Sequence, residues 1–227
     1  MTGNEPHFDG REMLMLHDSF RREFALMPGL VRGVSADDRE RAQVIAAHIT
    51  YMSTILHHHH HGEDVHVWPL LAERCPGECA ALVGLMEAQH EDIARISREI
   101  DEGLLDWAGA ATGPRETLAA ALDRLLPVLR AHLAAEEEHV VPLMEQHITA
   151  AEWRQIVEKE AADADPATLP LGFGMLMYEG DPEVVDAAIA TMPDQVRPVI
   201  RKLAAQAFAE HSRLVHGTAT PPRSTEL

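Results

Sequence analysis

The stretch Leu56-His57-His58-His59-His60-His61-Gly62-Glu63-Asp64, followed by Trp68-Pro69-Leu70, decides how this chain folds. Five histidines in a row resemble a purification tag, but tags sit at termini, and this run lies inside an amphipathic helix. On a helical wheel at about 100° per residue, Ile45, Met52, Ile55, Leu56, Glu63 and Leu70 fall within roughly 60° of His59. His57 and His61 fall on the far side, and His58 and His60 on the flanks, so about three of the five side chains are expected simply to meet solvent. A histidine and a glutamate one turn apart on an apolar stripe can address the same point. Neither belongs in a core unless something there binds it.

The pattern recurs. His59-x-x-x-Glu63-x-x-His66-Val67-x-Pro69-Leu70 reads again as His132, Glu136, His139, Val140, Pro142 and Leu143, at an offset of 73 residues (132 − 59, 136 − 63, 139 − 66). The same step carries His17 to His90, Met13 to Met86, Ile45 to Leu118 and Leu56 to Leu129. Two copies of one helix pair, each giving a histidine and a His-x-x-x-Glu, make a pseudo-twofold metal site from His17, His59, Glu63, His90, His132 and Glu136. Four imidazoles and two carboxylates exceed the four donors of a tetrahedral zinc ion. Shared carboxylates between two ions account for them better. Imidazole with carboxylate suits iron or manganese, with zinc and copper as competitors.

Around this set, Asp64, Glu137 and the flanking His60 are candidates to orient the imidazoles. His66 and His139 follow the two glutamates by three residues on the same apolar side, and are read as further ligands or as donors to Glu63 and Glu136. Met13 and Met86 are expected to line the cavity, since a thioether is a weak, soft donor.

The rest of the chain sets the frame. At 227 residues it can bury a full core. A net charge of −18, from 19 basic and 37 acidic residues, argues against nucleic acid or an anionic membrane as partner. No signal peptide is read at the polar start and no segment nears membrane-spanning length, so the expected compartment is the cytoplasm. There Cys75 and Cys79, in a Cys-Pro-Gly-Glu-Cys turn, are expected to be reduced.

The periodicity predicts an all-α chain with four antiparallel helices over residues 9–27, 37–73, 78–102 and 113–146. Pro28-Gly29 should end the first, Asp37 or Asp38 cap the second, Pro69 bend it, and Pro127 kink the fourth. The bundle spans 9–147. Residues 148–217 form a helical extension lying on the bundle or at a dimer surface, with helices over 149–164, from 180, and over 193–216. The first ten residues are expected to be loose and the tail 218–227 disordered. His211 and His216, five apart, are read as surface residues.

The order His17, His59-x-x-x-Glu63, His90, His132-x-x-x-Glu136 resembles the signature of the hemerythrin-like (HHE cation-binding) family over about residues 9–147. The remainder, including Gly174-Met175-Leu176-Met177-Tyr178-Glu179-Gly180-Asp181-Pro182, is similar to the extension of an actinobacterial subgroup. The resemblance implies a bundle holding two non-haem irons, Fe2+ or Fe3+, bridged by the two glutamates and an oxo or hydroxo group. Oxygen-carrying hemerythrins have a histidine where this chain has Met86, and end the last motif with an aspartate one residue further on. Both departures count against simple oxygen carriage. Three functional classes follow: binding or sensing of dioxygen, nitric oxide or peroxide; a di-iron enzyme decomposing peroxide; and, ranked last, iron storage or handling.

Overall fold

The computed structural model describes residues 5–107, 112–162 and 165–227. Four long helices, α1 (Arg11–Gly33), α2 (Arg39–Gly62), α4 (Pro76–Trp107) and α5 (Thr112–His139), surround one core. Each packs on the next and α5 returns to α1, which closes the ring. Two short helices, α3 (Trp68–Arg74) and α6 (Val141–His147), continue α2 and α5.

The direction of each helix follows from the order of its buried side chains. One apolar layer contains Phe20, Ile49, Leu56, Ile93 and Leu129. The other contains Met13, Val67, Met86 and Val140. Along α1 the chain runs from Met13 through His17 to Phe20, and along α4 from Met86 through His90 to Ile93. Along α2 and the π turn after it the order reverses, Leu56 through His59 and Glu63 to Val67, and α5 repeats that from Leu129 to Val140. The helices therefore alternate in direction, and a polar layer lies between two apolar ones.

Local chemistry explains the element ends. Asp38 caps α2, its side chain accepting from the Arg41 amide. Beyond Gly62 the chain widens into a π turn over Glu63–Val67 before α3 begins. Pro69 lies in the first turn of α3. Its ring and missing N–H disturb the bond to the carbonyl four residues back. The predicted bend is thus a wider turn. One proline acts differently from expectation. Pro28 lies inside α1 instead of ending it, while Pro127 lies inside α5, as expected. Burial of Met27, Val31, Leu125 and Leu129 around them outweighs a cost of about 3 kcal/mol per interior proline. α4 starts at Pro76 and runs on to Trp107, beyond the predicted 78–102; the loop expected before Gly113 lies partly outside the described residues, as do the end of the 149–164 helix and the first four residues.

The extension consists of α7 (Ala150–Glu160), α8 (Leu169–Met177), α9 (Pro182–Thr191) and α10 (Arg197–His216). Thr149 and Glu152 form a reciprocal cap on α7. α8 and α10 pack closely on each other, α8 also on α1 and α10 on α2. Gly174 permits this: a Cβ there would collide with the Ala204 carbonyl.

Both chain ends depart from expectation. Residues 6–8 pair with 148–150 through Phe8 N–H to Ile148 O (3.0 Å) and Ala150 N–H to Pro6 O (2.8 Å), and Phe8 is buried. The tail is held as well. Tyr178 donates to Pro221 O (2.7 Å), and Ser224 donates its amide (2.6 Å) and hydroxyl (2.9 Å) to Glu179. Cys75 and Cys79 also differ from the reduced thiols expected: they form a disulfide with Cα atoms 5.6 Å apart. Cys75 leaves helical geometry between α3 and α4, which brings it over the first turn of α4.

Candidate metal centre

The polar layer gathers seven side chains from the four long helices and the π turn. His60, Glu63, His90 and His132 form one group of converging donor atoms; His17, His59 and Glu136 form another. The carboxylates join the two. Glu63 Oε1 is 3.3 Å from His59 Nε2, and Glu63 Oε2 is 3.4 Å from His90 Nε2. Glu136 Oε2 is 3.4 Å from His17 Nε2 and 3.7 Å from His132 Nε2.

Three imidazoles are held from behind. His90 Nδ1–H donates to Asp64 Oδ1 (2.7 Å), which also accepts from Trp68 Nε1 (2.9 Å). His17 Nδ1–H donates to Glu137 Oε1 (2.8 Å), and Arg21 grips both oxygens of Glu137 at 2.8 Å. His132 Nδ1–H donates to Gln89 Oε1 (3.1 Å). In each case Nε2 is left as a lone pair facing the centre.

The first two pairs obey the 73-residue repeat crosswise. His17 maps onto His90 and Glu137 onto Asp64, so each lone histidine is oriented by the carboxylate of the opposite half. His60 breaks the symmetry, since its mate is the apolar Leu133. Its ring is buried and stacks on His90 at 4.1 Å, giving one group three imidazoles and the other two.

The electrostatics are those of a site built for cations. Burial pushes Glu63 up to about 8, and burial with the nearby Glu63 carboxylate pushes Glu136 well above its ordinary range. Burial lowers His59 and His60 well below theirs and brings His132 down to about 3. Glu137 goes the other way: burial opposes it, but hydrogen bonds from His17 and Arg21 bring it down to about 2.

Both oxygens of Glu63 and of Glu136, and Nε2 of His60, His90 and His132, are buried without a hydrogen-bond partner. So many orphaned donor atoms on one point would cost several kcal/mol in a purely structural bundle. They fit a pair of metal ions.

The six residues of the doubled motif are thus brought together, with His60, Asp64 and Glu137 around them. His66 and His139 are not. The π turn rotates His66 away from Glu63, and its Nε2 lies 3.5 Å from Glu160 of α7. His139 ends α5 and is exposed, beside Glu138. Met13 and Met86 are buried next to the polar layer. Gln89 and Arg21 were missed, and only their positions, one residue from His90 and one turn from His17, could have hinted at them. His211 and His216, read as surface residues, lean instead on His48: His211 Nε2 is 3.0 Å from His48 Nδ1, and the His216 and His48 rings meet edge to face.

The family model of the hemerythrin HHE cation-binding domain matches residues 11–144, with a second match over 82–165. No curated protein and no solved structure matches the chain. The chain belongs to the hemerythrin HHE cation-binding domain family.

Proposed function

We propose that this member of the family is a non-haem di-iron protein that takes up a small oxidant, dioxygen, nitric oxide or peroxide, and works as a binding or sensing protein. The observation that carries the reading is the orphaned donor set. One ion would be held by His60, His90 and His132, the other by His17 and His59, with Glu63 and Glu136 shared. Iron supplies a redox-active pair with room for an external ligand, because the residues present do not fill two six-coordinate spheres. The two-histidine side has fewer donors and offers the open position.

The protein's own residues keep that position dry and aimed. Phe20 is buried with its ring 5.5 Å from that of His59, Met13 is buried one turn before His17, and the Glu137–Arg21 pair keeps His17 in one tautomer. A groove between α2 and α4, lined by His57, His60, His61, Asp64 and His90, leads from the surface to the three-histidine side. Among the described residues no helix is long and apolar enough to cross a membrane.

Metal analysis and an optical titration test this reading. Protein supplied with ferrous iron should hold two irons per chain, and Glu63→Ala or Glu136→Ala should lose them. Addition of dioxygen to the reduced protein should give a stable, reversible adduct. Rapid decay of peroxide with oxygen release would make the protein a peroxide-decomposing enzyme instead. One iron or none in the parent would end the di-iron reading.

A further inference from the structure

A second cluster of donors lies away from the di-iron layer, at the joint between the bundle and the extension. Glu23 of α1, His48 of α2 and His216 of α10 direct one donor atom each at a common point. Glu23 Oε2 is 2.9 Å from His216 Nε2 and 3.2 Å from His48 Nε2. We propose that Glu23, His48 and His216 bind a third metal ion, a single tetrahedral zinc with its fourth position open to water.

Four observations support it. Donor atoms bonded to zinc at 2.0–2.1 Å are about 3.3 Å apart along a tetrahedral edge, close to both separations here. His48 Nε2 is buried and has no hydrogen-bond partner although it lies beside a carboxylate, which is how a ligating lone pair is placed. His48 Nδ1 faces His211 Nε2 at 3.0 Å, so His48 can donate its other N–H and be fixed in the ligating tautomer. Finally, Glu23 is turned toward the histidines: its Oε1 accepts from Arg22 Nε (2.8 Å), and Arg22 is itself neutralised by a close pair with Glu179. Arg22 with Glu179 cancels, which leaves the charge of Glu23 for a cation.

Two imidazoles and a carboxylate serve zinc and mononuclear iron(II) alike, but a tetrahedral ion needs only one further donor here, whereas a six-coordinate iron or manganese would need three. Such an ion would tie together α1, α2 and α10, three elements of which the last belongs to the extension. Arg41 already anchors the end of α10 through the Leu214 and Val215 carbonyls, so the geometry is held before metal arrives.

Cobalt(II) serves as the visible probe for zinc. The full chain is first loaded with iron and then titrated with cobalt(II). One cobalt per chain, with the intense visible absorption of a tetrahedral ion and displacement by zinc, is the expected result. Glu23→Gln and His216→Gln should each weaken cobalt binding by at least about 100-fold, and His211→Leu by roughly 10- to 100-fold, with the two irons retained. A Glu63→Ala/Glu136→Ala variant, deprived of iron, should still bind one tetrahedral cobalt, which separates this site from the first. Absence of a tetrahedral band in the iron-loaded parent overturns the proposal and leaves the cluster as an ion-paired network. A band that persists unchanged in folded Glu23→Gln and His216→Gln protein overturns it too.

Discussion

His60 shows what a helical wheel can and cannot deliver. The wheel places it on a flank of α2, yet its ring lies in the core and stacks on His90. Flank positions reach inward when the neighbouring helix is close, and the spacing of two helices is not written in one. By contrast His59 and Glu63 were legible because their stripe is continuous from Ile45 to Leu70. The orienting carboxylates were legible as candidates because each follows a ligand directly in sequence, but not the crossing of Asp64 to His90 and Glu137 to His17, which needs the packed bundle. Asp64→Asn and Glu137→Gln should each weaken iron binding about 10- to 100-fold while leaving the helix content unchanged, read by iron titration and circular dichroism. His60→Leu should also weaken iron binding in the same titration, since it removes one of the three imidazoles of its group. The double variant His66→Leu/His139→Leu should hold iron and react with oxidant like the parent, since neither ring faces the centre.

At the level of the element, the π turn over Glu63–Val67 accounts for His66, while His139 misled for another reason, standing exposed at the C-terminal end of the ordinary helix α5. His66 and Glu63 share a side only if the helix keeps its ordinary pitch, and the turn ahead of Pro69 does not. The histidine spacing was copied faithfully into residues 132–143, so the repeat gave no warning. The extension was harder still. Three of its helices were predicted but α8 was not, and the seating of α8 on α10 depends on a contact that composition hides, Gly174 against the Ala204 carbonyl. Gly174→Ala should cost about 1–3 kcal/mol by forcing α8 from α10. The amides of α8 and α10 should then exchange faster, with iron content unaffected; an unchanged melting temperature would contradict the close approach.

Across the whole molecule, acid and base act on the centre in opposite senses. Without metal, burial raises Glu63 from 4.5 to about 8, so the folded state keeps a proton that the unfolded chain releases. That contribution is complete below 4.5 and disappears as pH rises through about 8. His132 falls from 6.5 to about 3, and its contribution is complete above 6.5 and disappears as pH drops through about 3. Metal-free protein should therefore lose melting temperature as pH rises from 6.5 to about 9. Iron needs the carboxylates ionised and the imidazoles neutral, so iron-loaded protein should not. The gap between the two melting temperatures is expected to widen over that interval, and a narrowing gap would count against Glu63 and Glu136 as ligands.

The crossed carboxylates have one more consequence. Because Asp64 orients a histidine of the opposite half, and Glu63 and Glu136 each face both groups, neither half can present a finished pocket alone. The first ion to enter would fix both shared glutamates and so lower the ordering cost for the second. Loading should then be cooperative, passing from empty to doubly filled chains with little singly filled protein at half saturation. Native mass spectrometry at substoichiometric iron reads this directly: a dominant one-iron species would mean that the halves fill independently.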